Sequence, residues 1–272
     1  MNQPSVLSSS ARIFELSIGE MLWSRRSIFL ALVVGAPIVL AVVIRIISLS
    51  FGPVQINGEG VGGAALFGMS IWVLYIRFIV PVLGVFYGTS LIADEVDDKT
   101  ITYLFTRPIP RRAVLFGKYL AYLFCTVLLI LPSVVVVYLL LASIGGTLGT
   151  AFPALLADLA MLAIGLAAYG AVYAFVGARM KRPLVTGLVF AFGWEPAVLL
   201  FPGYLKRLTV AYYLQALVPQ AMPDDSAISI LMQVFHEVPP VWVSVGSLAV
   251  IVFAALWAGG RAVETREYVL EQ

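Results

Sequence analysis

Four ionisable residues, Arg45, Arg77, Asp158 and Glu195, stand inside long apolar runs of this 272-residue chain. A charge at the centre of a bilayer costs about 2.5–3.5 kcal/mol on insertion scales, so such residues pair, reach the headgroups or line a polar path. Arg45 lies about 17 residues into its run, ~26 Å of helical rise, where its side chain can snorkel to the outer headgroups. Asp158 sits near the outer end of its run, with the same reading. Arg77 and Glu195 are deeper. For them two readings stand: a buried ion pair with each other, or groups lining a pathway. Pro196 follows Glu195, bends its helix and frees a backbone carbonyl, as a cavity wall would require.

Catalytic chemistry finds little material here. His236 is the single histidine, which excludes an H-E-x-x-H pair or a His-rich metal site. Cys125, the single cysteine, lies in an apolar run and reads as a small buried hydrophobe. No Ser–His or paired-acid constellation stands out at membrane depth, so the chain is not expected to be an enzyme or to carry a cofactor.

The background explains why four charges matter. The chain is 61% hydrophobic and 12% charged, with a mean hydropathy of +0.99, against roughly 25% charged residues in soluble domains. An all-α integral membrane protein is expected. Residues 1–10 are polar and uncharged, with no hydrophobic signal-peptide core before Arg12. Crossing the hydrocarbon takes about 20 apolar residues in a helix, and unpaired backbone groups exclude other lipid-facing structures. Six runs qualify, at 28–50, 66–92, 119–142, 154–178, 184–201 and 241–260. No repeat or second domain interrupts them, so residues 1–272 form one membrane domain.

Positive charge orients the spans. Thirteen bases, including Arg25, Arg26, Arg111, Arg112, Lys118, Arg179 and Arg182, fall on one side, and only Lys206 and Arg207 on the other. Both termini are therefore expected in the cytoplasm. Ahead of the first span, 11–26 carries Phe14, Ile18, Met21 and Leu22 at helical spacing, with Arg12, Glu15 and Glu20 off that stripe. This predicts an interfacial helix. The extracytoplasmic segment 202–240 holds two partly amphipathic stretches, expected to form short helices on or in the outer leaflet. The glycines of Gly84-V-F-Y-Gly88 allow close helix approach, expected inside one subunit rather than between two. Trp23, Trp242 and Trp257 fall near interfaces, as anchors.

The densest charge lies in 93–118, ADEVDDKTITYLFTRPIPRRAVLFGK. Acids end the second span, and ITYLF is too short to cross and too greasy for a free loop. Pro108 pushes Arg107 out of the helical region. Pro110 then suits the first turn of a new helix. A short helix, a proline turn and a second helix entry fit docking into a protein groove.

That run, E95-V-D-D-K-T100-I-T-Y-L-F-T-R107-P108-I-P-R111-R-A-V-L-F-G117-K118, resembles the permease subunits of ABC-2 type ABC transporters. It is most similar to the shorter permeases of the nitrous-oxide-reductase maturation type. Lys99 departs from the glycine usual there. The resemblance implies a six-span permease with a coupling helix around 100–106, and ATPase-coupling roles for Glu95, Thr100, Leu104, Arg107, Pro108, Arg111, Gly117 and Lys118. It further implies an exporter working as a dimer in the cell (inner or plasma) membrane, driven by a separate ABC ATP-binding subunit that holds ATP and Mg. No phosphate loop occurs in this chain, and no nucleic acid partner is expected. A secondary transporter, or a membrane-embedded assembly factor without ATP coupling, is the alternative.

Overall fold

The structure is a computed structural model that describes residues 6–22, 25–52, 55–56, 59–60, 62–97, 110–146, 148–200, 204–218 and 239–265. Helix dominates, as the backbone argument requires. In chain order the helices are α1 (Val6–Leu22), α2 (Arg25–Phe51), α3 (Gly63–Glu95), α4 (Arg111–Leu141), α5 (Leu148–Arg179), α6 (Pro183–Val198), α7 (Val210–Gln215) and α8 (Val241–Thr265). A two-residue antiparallel pair, Gln55–Ile56 with Glu59–Gly60, joins α2 to α3. Single turns of 3-10 helix occur at Ile144–Gly146 and Tyr204–Leu208.

Five helices, α2, α3, α4, α5 and α8, are long and apolar enough to cross a membrane. The sixth expected run, at 184–201, forms α6, whose apolar stretch Pro183–Val198 is shorter. At 1.5 Å per residue it spans about 24 Å of a hydrocarbon core roughly 30 Å thick. Glu195 and Pro196 lie near its end, and the helix continues through them to Leu200. The chain still changes ends here. Arg112 at the start of α4 pairs with Glu264 at the finish of α8, so α8 begins at the opposite end from the bases. Gly177, near the finish of α5, lies on the Thr89 backbone close to the finish of α3. Residues 180–240 therefore carry the chain from the basic end to the far end.

The centre of the molecule is α5 packed between α3 and α4. Its 18-residue window of highest hydropathy is 61% buried, against 11% for α8 and 22% for α2, so the latter two lie at the periphery. The Gly84-V-F-Y-Gly88 face turns inward, onto α5. A Cβ at Gly84 would stand 2.8 Å from Tyr173 Cδ2, and one at Gly88 2.8 Å from Tyr173 Cβ. The close approach is within one subunit, and only glycine permits it.

Two stretches of α3, Ile71–Ile79 and Gly84–Gly88, and one of α6, Val189–Trp194, have π-helical geometry. Proline accounts for two of the three. Pro81 cannot donate to the Arg77 carbonyl, nor Pro196 to that of Phe192, so the normal hydrogen-bond ladder fails just where the wider turn occurs.

The predicted helix before the first span begins earlier than 11, at Val6. It packs on the first turns of α4, with Ser10 Oγ donating to the Ala113 carbonyl at 3.2 Å and Phe14 edge-on to Phe124. Ser9, Ser10, Ile13 and Ser17 form its buried face. Phe14, Ile18 and Met21 are half-buried beside them, and Arg12, Glu15 and Glu20 are exposed. Small serines in the contact explain why the apolar stripe alone understated it: they let two helices approach closely.

Candidate functional site: a basic-end junction and a polar cluster at depth

At the basic end the structure joins two residues that the sequence places 23 positions apart. Lys118 Nζ donates to Glu95 Oε1, an ion pair with side chains only 12% and 17% exposed. It ties the finish of α3 to the start of α4, the two helices that flank 98–109. Gly117, its neighbour, lies under α1: a Cβ there would meet the Ser10 carbonyl oxygen at 2.7 Å and Ile13 Cβ at 2.8 Å. Arg111 is exposed at the same end. Next to it the Arg112–Glu264 pair joins α4 to α8 across solvent, with exposures of 44% and 34%. Water screens exposed pairs of that kind, so they contribute little. The shielded pair matters more, because loss of one partner strands a charge in a poorly solvated place. Thr100, Leu104, Arg107 and Pro108 lie outside the described residues.

At depth, Glu195 is 3% exposed. Tyr169 on α5 donates its hydroxyl to Oε2. Oε1 accepts from the backbone N–H of Val210 at 3.1 Å, with that of Ala211 at 3.5 Å. These two amides open α7, so the carboxylate satisfies donors that a helix start leaves without intrahelical partners. Val210, Ala211, Tyr212 and Leu214 of α7 are buried, and the Leu214 methyls lie about 3.0 Å from a Cβ built at Gly165 of α5. Thus α7 is buried against α5. The stretch at 228–238 lies outside the described residues.

No ion pair joins Arg77 to Glu195 among the described residues. The carboxylate is held by Tyr169 and α7, while Arg77, an exposed residue, stacks its guanidinium 4.4 Å from the Trp72 ring centroid. Arg45 is half-buried. Asp158 differs from expectation: it is 0% exposed, because it lies on the inward face of α5 with Leu155 and Leu162, while Phe152 and Leu156 on the other face are exposed. Cys125 is buried, in keeping with a packing role.

Sequence reasoning missed Tyr169, Trp72 and the amides of α7. Trp72 had a usable signal, five positions before Arg77, one π-helical turn away. For Tyr169 no local signal exists, since 26 residues and a change of helix separate it from Glu195.

Five helices of membrane-crossing length and composition among the described residues define a multi-pass membrane protein. Residues 19–194 match the family model described as ABC-2 family transporter protein, and the chain belongs to that family. It is the membrane component of an ABC transporter, not the ATPase, and membership implies association with an ABC ATP-binding subunit. A search of curated proteins found no significant match.

Proposed function

We propose that this chain is the permease of an ATP-driven exporter, working as a homodimer in the cell membrane with two copies of a separate ATP-binding subunit. In this reading six segments cross the bilayer, α6 together with α7 completing the fifth passage, and both termini face the cytoplasm. The partner grips a coupling helix at 100–106 and holds ATP and Mg. ATP-driven closure of the two ATPase copies pushes that helix and reshapes the path between the permeases.

The observation that carries this reading is the Glu95–Lys118 pair. It fastens together the two helices that flank the docking segment, so force applied there reaches α3 and α4 as one unit. Gly117 extends the connection to α1. The thirteen bases favour the cytoplasm for this end.

Arg107→Ala and Glu95→Gln variants, reconstituted with the ATP-binding partner, should insert normally and retain ATPase activity while transport falls at least tenfold. Undiminished transport in both would count against coupling through this segment. Transport by the chain alone, driven by an ion gradient, would favour a secondary transporter.

A further inference from the structure

The carboxylates of the described spanning helices that lie away from the ends are Asp158 and Glu195, and they are 0% and 3% exposed. Arg77 is exposed. It is the fifteenth residue of α3, about 21 Å of rise from Gly63 and ~27 Å from Glu95. With a 30 Å hydrocarbon layer centred on that helix, the Arg77 backbone lies about 12 Å inside the far boundary, deeper than an extended arginine side chain can bridge. Its surroundings are apolar: Met69, Val73 and Phe78 on α3 are 57%, 40% and 51% exposed, and Phe78 meets Phe192 of α6 at 6.2 Å between ring centroids. Trp72 covers one face of the guanidinium by a cation–π contact. That contact leaves the planar N–H edge without an acceptor among the described residues.

A cation so placed requires a counter-charge. Among the described residues away from the helix ends this chain supplies none, for Asp158 and Glu195 are enclosed. A second copy would bring the same enclosed pair. A molecule that shares the apolar face can bring the anion. Guanidinium offers a fork of donors matched to phosphate or carboxylate oxygens, and the π-helical stretch Ile71–Ile79 turns it outward in a geometry frequent at functional sites.

We infer that Arg77 recognises the anionic headgroup of an amphiphilic cargo, a phosphate or carboxylate on an apolar tail, whose tail lies against Val73, Phe78 and Phe192. This rests on the pathway reading above and supplies its substrate class.

The test uses the full chain with its ATP-binding partner in nanodiscs of zwitterionic phosphatidylcholine, read by tryptophan quenching. The probes are 12-bromododecyl phosphate, 12-bromododecanol and bromododecyltrimethylammonium, with Trp72→Phe assigning the signal. Half-saturation by the phosphate is expected at a mole fraction at least about tenfold below that of the other two, the scale of a charge-assisted hydrogen bond. Arg77→Gln should erase the difference and Arg77→Lys should keep most of it. Equal quenching by all three probes, or a preference that survives Arg77→Gln, overturns the inference. So does full loss of saturable quenching when phosphatidylglycerol is present at ordinary bilayer fractions, since the occupant is then a resident lipid. Quenching is read without ATP, so a failure of coupling is read separately, in transport.

Discussion

Glu195 shows how one carboxylate can be both costly and structural. Buried alone it would be heavily penalised, yet Tyr169 and the opening amides of α7 supply its donors. Removing the acceptor leaves those donors buried without partners, at about 1–3 kcal/mol each. Glu195→Ala should therefore lower stability to chemical unfolding in micelles by roughly 2–6 kcal/mol, from two such losses. Glu195→Gln keeps a carbonyl oxygen for the Val210 amide and should lose about half of that. A Gln variant that unfolds like the wild type but exports slowly would instead assign Glu195 to the pathway. That this residue mattered was legible from its charge in an apolar run. Its partners were not, because Tyr169 and α7 reach it only after α5, α6 and the returning chain have packed.

Packing of α1 on α4 depends on Gly117. With the Ser10 backbone oxygen 2.7 Å from any Cβ there, a larger residue cannot be accommodated by a side-chain rotation. Overpacking of this kind costs about 1–3 kcal/mol, and α1, joined to the rest mainly through α4, would yield first. Ser10→Cys with Ala113→Cys, in a Cys125→Ser chain, should form a disulfide readily; adding Gly117→Leu should reduce that cross-link severalfold in membranes. Persistence of the bond at wild-type yield would mean that α1 is held elsewhere. The helix itself was legible from its spacing of apolar residues. Its serine-lined contact was not, since serine in a polar segment carries no hydropathy signal.

The molecule as a whole leaves α2 and α8 largely uncovered, along with the face of α3 that presents Val73 and Arg77. Apolar exposure on α2 and α8 needs only lipid. The arginine-bearing face does not suit lipid, and in the homodimer reading it lines the path between copies. Val73→Cys in a Cys125→Ser background should cross-link copies under mild oxidation, and Phe253→Cys on α8, 75% exposed, should give no dimer band. The reverse pattern would move the dimer contact to α8 and leave Arg77 facing lipid.

Membrane residence, the run of apolar helices and the base-rich end could all be read from the order of residues, because transfer free energy accumulates locally along a helix and positive charge acts span by span. The segment from Glu95 to Lys118 was recognisable for a related reason, its prolines and charges being close in the chain. Tertiary structure alone decided that Lys118 meets Glu95, that Gly84 and Gly88 face α5, and that Glu195 holds α7 while Arg77 stacks on Trp72. Apolar helices are nearly interchangeable to lipid, so hydropathy says little about which faces meet. That choice belongs to close packing and to the few polar groups that must find partners, and both are settled between helices distant in sequence.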